Sequence, residues 1–74
     1  MNRLRVTDRP NNVRHHRRLR DLTQADLASA CNVSRQTIVS IEAGDYAPSV
    51  YLALRLGEVL RASVEELFGF GEGS

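Results

Sequence analysis

With 74 residues, ten Arg and no Lys, nine acids and one Cys, the chain fits a single domain near the lower size limit for a self-sufficient core, so part of its stability is expected from pairing with a second copy. One cysteine excludes an internal disulfide framework, no apolar run nears the roughly 20 residues that cross a bilayer, and the basic start is not followed by a hydrophobic signal core; a cytoplasmic protein without a membrane partner is expected. The formal charge of +1 is unevenly spread: residues 1–20 carry seven Arg against one Asp, a surplus of +6, and the remainder three Arg against eight acids, a deficit of 5, which reads as one phosphate-seeking face and one kept off nucleic acid.

Residues 1–10 lack periodicity and end in Pro10, which predicts a flexible basic arm. Asn11 or Asn12 can cap a first helix running to about Arg20, with Val13, His16, Arg17 and either Leu19 or Arg20 on its inner side. Arg14 and Arg18, four apart, share a face of that helix. Thr23 opens a second helix, its hydroxyl placed to accept from a first-turn N–H while Asp26 completes a box-like cap three residues on. The helix closes after Cys31, whose apolar position predicts a buried reduced thiol. Asn32 then allows a sharp turn through the left-handed region, and Val33 fills the corner. Ser34 caps a third helix, Arg35 to Ala43, which Gly44 ends. Leu27, Ala28, Cys31, Val33, Ile38 and Ile41 recur at spacings that face the two helices together, leaving Arg35, Gln36, Val39 and Ser40 on the opposite side.

After a loop from Gly44 to Pro48, Ser49 caps a fourth helix to about Leu60. This helix carries more apolar surface than one stripe facing a small core requires, so two readings stand together: a well-buried central helix, and a dimer contact made by Tyr51, Leu52, Val59, Phe68 and Phe70. Ser63-Val64-Glu65-Glu66 is a capping box for a short fifth helix ending near Phe68 or Gly69, with residues 70–74 as a frayed tail. No alternation is long enough to build a sheet, so the fold class is all-α, with one domain over residues 11–69.

Leu22-Thr23-Gln24, the Leu27-Ala28 pair, Val33-Ser34-Arg35-Gln36-Thr37-Ile38, Ile41-Glu42 with Gly44, Tyr46, Pro48-Ser49 and the closing Val64-Glu65-Glu66-Leu67-Phe68 stand in register over roughly residues 13 to 68. Together they resemble the helix-turn-helix domains of the phage Cro and repressor type, the XRE family, and most of all its short, stand-alone bacterial regulators. The chain departs from the common pattern at His16, where Leu is usual, at Asn32 and Arg61, where Gly is usual, and at Gly57, where Ala is usual. The resemblance implies a five-helix bundle with the helix-turn-helix at helices two and three. It also implies that Arg17 pairs with Glu42 to hold helix one to helix three, and that Gln24 braces the residue at position 35.

A helix in the major groove reads base edges with paired hydrogen bonds, for which Arg suits guanine and Gln suits adenine. Arg35 and Gln36 are those types in the first turn of the second helix of the motif, with Val39 one turn on and Ser40 beside it, and the resemblance supports these four as the reading set. Phosphate positioning falls to Gln24 at a helix start, to the hydroxyls of Ser34, Thr37 and Tyr46, and to Arg14 and Arg18 as long-range attractors. Ser34 also has the plain role of an N-cap. His15 and His16 lack a second pair of ligands, which argues against a metal, and His16 reads as a half-buried packing residue. No nucleophile with a base and an orienting group is present, so neither an enzyme, a cofactor nor a small-molecule ligand is expected.

The resulting expectation is a homodimeric regulator that binds an operator in double-stranded DNA, acting as a repressor by occluding a promoter. Controller proteins of restriction systems, which activate, and antitoxins, which regulate their own genes, use similar domains and remain alternatives. A rival of another class is a protein-interaction module whose polar face meets a protein; Arg and Gln at positions 35 and 36 argue against it.

Overall fold

The computed structural model describes residues 11–69 as five helices: α1 (Val13–Leu19), α2 (Gln24–Cys31), α3 (Arg35–Glu42), α4 (Val50–Leu60) and α5 (Val64–Phe68), with no strand among them. Caps written in the sequence set most of the boundaries. Thr23 Oγ1 accepts from the Asp26 N–H while Asp26 Oδ2 accepts from the Thr23 N–H, and Ser63 and Glu66 repeat that reciprocal pair at α5. Ser34 and Ser49 cap α3 and α4 by accepting from Thr37 and Leu52.

Helix ends follow equally local rules. Asn32 closes α2 at φ 58°, ψ 43°, and Arg61 closes α4 at φ 55°, ψ 47°. Both are left-handed, which explains why glycine would also be at ease there. Gly44, with φ 81°, turns the chain out of α3. Gly57 answers a different need: a Cβ on it would lie 2.7 Å from the Ala62 carbonyl oxygen, so the chain leaving α4 folds back directly over this residue.

One core joins all five helices. Val13 of α1, Leu27, Ala28 and Cys31 of α2, Ile38 and Ile41 of α3, Leu56 and Leu60 of α4 and Leu67 of α5 are buried together. Removing each large side chain among them from water contributes about 1.5–3 kcal/mol. Val33, Leu52, Val59 and Phe68 pack half-buried against this core.

Two details of α1 differ from expectation. Leu19 is 61% exposed and Arg20 is also exposed, so neither belongs to the inner face; Val13 and Arg17 are its buried residues and His16 is half-buried. The helix ends at Leu19 and the chain turns through Asp21 in the left-handed region (φ 57°), which leaves no turn in which a further inner position could dock. The cap is also divided between two residues. Asn12 occupies the N-cap position without a side-chain cap bond, while Asn11 Oδ1 accepts from the Val13 N–H at 3.1 Å.

The freed amides tie the start of α1 to distant helix ends. Asn11 Nδ2 donates to the Ile41 carbonyl (2.8 Å), Asn12 Nδ2 to the Glu66 carbonyl (2.9 Å), and the Asn12 N–H to the Leu67 carbonyl (2.9 Å). Arg20 Nε reaches the Leu60 carbonyl at 3.2 Å. Carbonyls in the last turns of α3, α4 and α5 thus receive bonds from residues 11–20, the Ile41 carbonyl in addition to the one it accepts from the Gly44 N–H.

The surplus apolar surface of α4 lies at its N-terminal half. Val50, Tyr51 and Leu54 are 72%, 84% and 54% exposed, and Tyr51, Leu52 and Leu54 line a shallow groove beside Val33. Of the five residues expected at a dimer contact, Tyr51 is the one fully on the surface; Leu52, Val59 and Phe68 share their area with the core, and Phe70 lies outside the described residues. The arm at residues 1–10 and the tail at 70–74 also lie outside them.

Candidate nucleic-acid interface

The α2–turn–α3 unit determines which side chains face outward. Ile38 and Ile41 are fully buried, so helical spacing places Gln36 opposite that seam, with Val39 and Ser40 beside it and Arg35 at its edge. Arg35 and Gln36, in the first turn of α3, are exposed; Val39 and Ser40, one turn later, are half-buried. Gln36 Nε2 lies 3.4 Å from Ser40 Oγ, a long bond along the helix that a stronger partner can displace. Arg35 and Gln36 therefore offer unburied donors and acceptors from a rigid helix, while Val39 offers an apolar methyl surface beside them.

Ser34 and Thr37 are joined through their hydroxyls at 2.9 Å, and Ser34 Oγ also accepts from the Thr37 N–H. Their cap role uses these oxygens without consuming their whole hydrogen-bonding capacity. Tyr46 is 47% exposed on the loop after α3. Arg14 and Arg18 are exposed on α1, and among the described residues neither forms an ion pair. Gln24 is the first residue of α2, where unpaired N–H groups and the positive end of the helix dipole favour an anion.

Behind this surface lies a polar chain. Arg17 Nε donates to Glu42 Oε2 at 2.6 Å and Nη2 to Glu42 Oε1 at 3.2 Å, a two-bond contact between side chains only 10% and 5% exposed. Arg17 Nη1 adds a bond to the Leu22 carbonyl at 2.8 Å. Gln24 Nε2 donates to the same Glu42 Oε1 at 3.2 Å, and Arg35 Nη2 donates to Gln24 Oε1 at 3.3 Å. The structure thus brings together Arg17, Glu42, Gln24 and Arg35 across α1, α3 and α2. The contact between Glu42 and Gln24 had no signal in the sequence, because it depends on how closely the start of α2 passes the end of α3.

Two titrations carry clear environments. The Thr23 backbone N–H, and then its hydroxyl, hold the Asp26 carboxyl below the usual carboxylate range. Burial pushes the Cys31 thiol up, with Arg55 opposing weakly, so this side chain behaves as an inert core group. Among the described residues, no three His, Cys, Asp or Glu side chains converge on a metal position, and no helix is long and apolar enough to cross a membrane.

Comparison with known proteins places this geometry in a family setting. A helix-turn-helix family model matches residues 13–67. An uncharacterized HTH-type transcriptional regulator of Methanocaldococcus jannaschii is 43% identical over 58 residues, covering 78% of this chain and 88% of that protein. A similarly described protein of Archaeoglobus fulgidus is 40% identical over 60 residues, covering 81% of this chain and 86% of its own length. Bacillus subtilis YgzD, also described as an uncharacterized HTH-type transcriptional regulator, is 36% identical over 62 residues, covering 84% and 94%. These relatives come from both archaea and a bacterium, so the likeness to bacterial regulators does not extend to an assignment of source.

Proposed function

Because this chain belongs to the XRE-type helix-turn-helix family of DNA-binding transcriptional regulators, we propose that it binds an operator in duplex DNA as a homodimer and represses transcription by occluding a promoter. Arg35, Gln36, Val39 and Ser40 read base edges in the major groove. Gln24, Ser34, Thr37 and Tyr46 position the phosphates, and Arg14 and Arg18 draw the backbone in. The observation that carries this reading is the first turn of α3, where Arg35 and Gln36 stand exposed on a helix whose opposite side is locked into the core by Ile38 and Ile41. Such a helix cannot roll to hide its polar residues without exposing two isoleucines, at about 1.5–3 kcal/mol each.

Residues 11–69 form the DNA-binding unit, with the basic residues 1–10 as an arm before it. The exposed Val50, Tyr51 and Leu54 favour a protein contact on α4 as well, and a second copy is the occupant that operator binding by paired reading helices calls for.

The test starts from duplexes selected out of a randomised pool. Arg35→Ala or Gln36→Ala should lose about 1–3 kcal/mol on the selected site and flatten the preference at one base pair, with little change on random DNA. Replacing Arg14 and Arg18 should instead weaken all duplexes and reduce the salt slope by about 0.9 for each phosphate no longer neutralised. Equal losses on selected and random DNA for Arg35→Ala and Gln36→Ala would transfer those residues to phosphate contact.

A further inference from the structure

The chain of contacts from Arg17 to Arg35 has a direction imposed by chemistry. An ionised carboxylate only accepts hydrogen bonds and a guanidinium only donates them, whereas a carboxamide donates at one end and accepts at the other. Glu42 and Arg35 flank Gln24, with Glu42 Oε1 at 3.2 Å from its nitrogen and Arg35 Nη2 at 3.3 Å from its oxygen. Rotating the Gln24 amide by half a turn would put its carbonyl against the carboxylate and its NH2 against the guanidinium, making both contacts repulsive. One orientation therefore survives. Glu42 has little room to drift towards the other, because its side chain is itself only 5% exposed, with Arg17 meeting both of its oxygens.

The exposed guanidinium of Arg35 is thus tethered through one Nη2 proton. Its donors form two paired edges, and the tether to Gln24 leaves one edge complete for a two-bond contact. An Arg side chain free in solvent must lose rotamer freedom when it docks on a base; one already held loses less.

We propose that Glu42 is a positioning residue for base recognition, acting through Gln24 to hold Arg35 in its reading orientation, in addition to its ion pair with Arg17. The role rests on Arg35 reading a base, as proposed above. Glu42 itself lies behind the surface and touches no DNA.

The experiment measures discrimination: the ratio of affinities for the selected duplex and for duplexes substituted at the base pair whose preference Arg35→Ala abolishes. Glu42→Gln keeps the size of the side chain but can face Gln24 with either its oxygen or its nitrogen, so the lock is released. Discrimination should fall about tenfold, within the range of a two-bond base contact. Gln24→Met, which removes the amide at similar length, should cause the same fall, and the double variant should add little more. Arg17→Lys, which weakens the ion pair but leaves the Glu42 acceptor in place, should retain discrimination. Arg17→Met/Glu42→Leu removes both buried charges and so guards against a variant that fails to fold; it too should lose discrimination.

A readout without DNA separates the tether from the reading. In the free protein, side-chain 15N relaxation of Arg35 should show greater motion in Glu42→Gln and Gln24→Met but not in Arg17→Lys. Full discrimination in folded Glu42→Gln, or losses from Glu42→Gln and Gln24→Met that simply add, would overturn the proposal. Unchanged discrimination in Arg35→Ala at every base pair would refute base reading by Arg35, and the positioning role with it, even where relaxation confirmed the tether.

Discussion

Replacing Glu42 by Ala isolates the energetic weight of the buried pair. The substitution leaves the Arg17 guanidinium, 10% exposed, with the Leu22 carbonyl as its remaining partner, and takes the acceptor from Gln24 Nε2. Breaking one side of a buried pair costs about 3–5 kcal/mol because an uncompensated charge stays behind. An exposed pair would cost about 0–1 kcal/mol, so burial decides between the two figures. The surviving bond to Leu22 favours the lower end, about 3 kcal/mol. At about 4–8 °C per kcal/mol for a domain of this size, the thermal midpoint should fall by about 12–24 °C. Circular dichroism at 222 nm during heating, paired with urea unfolding, reads both quantities. Arg17→Met/Glu42→Leu should return close to the parent stability, since apolar replacement of a buried pair is often neutral. A loss below about 1 kcal/mol for Glu42→Ala, with an unchanged urea slope, would refute the reasoning by showing that water reaches the guanidinium.

Gly57→Ala sets helix propensity, a gain of about 1 kcal/mol, against a Cβ placed 2.7 Å from the Ala62 carbonyl oxygen. Backbone cannot swing aside as a side chain can, so a shift costing about 1–3 kcal/mol should win and lower the urea midpoint; a raised midpoint would show that the turn after α4 yields freely. Acid titration should expose the Asp26 cap. Its folded pKa is depressed, so its contribution is present above the ordinary value near 3.8 and is lost as pH falls through the lower folded value; Asp26→Asn should flatten that part of the stability curve, and an unaltered acid limb would count against the cap. Tyr51→Asp and Leu54→Asp alter side chains 84% and 54% exposed, so they should dissociate a dimer while sparing the monomer core. Sedimentation velocity at micromolar concentration checks this, and full-affinity binding of a monomer to one half-site would end the idea of two reading helices set about 34–36 Å apart.

Local chemistry made much of this molecule legible before any packing was known. Thr23, Ser34, Ser49 and Ser63 are followed three residues later by the N–H groups they accept from, and Asp26 and Glu66 return the bond, so four helix starts lie within fragments of four residues. Periodicity likewise separated Ile38 and Ile41 from Arg35 and Gln36, because on one helix the spacing alone assigns the face. Leu19 escaped that logic: it stands three residues from His16, yet the helix ends beneath it and its side chain meets solvent. The bonds from Asn11, Asn12 and Arg20 to carbonyls 30 to 54 residues away were equally invisible, since a polar side chain in a sequence does not announce which distant helix end it will meet. Nor could spacing show that Gln24 stands between Glu42 and Arg35, 18 and 11 residues along the chain. Caps and faces are set by neighbours in sequence; the relay exists only because three helices bring a carboxylate, an amide and a guanidinium within hydrogen-bond reach, where the single orientation that satisfies all of them is selected by the fold.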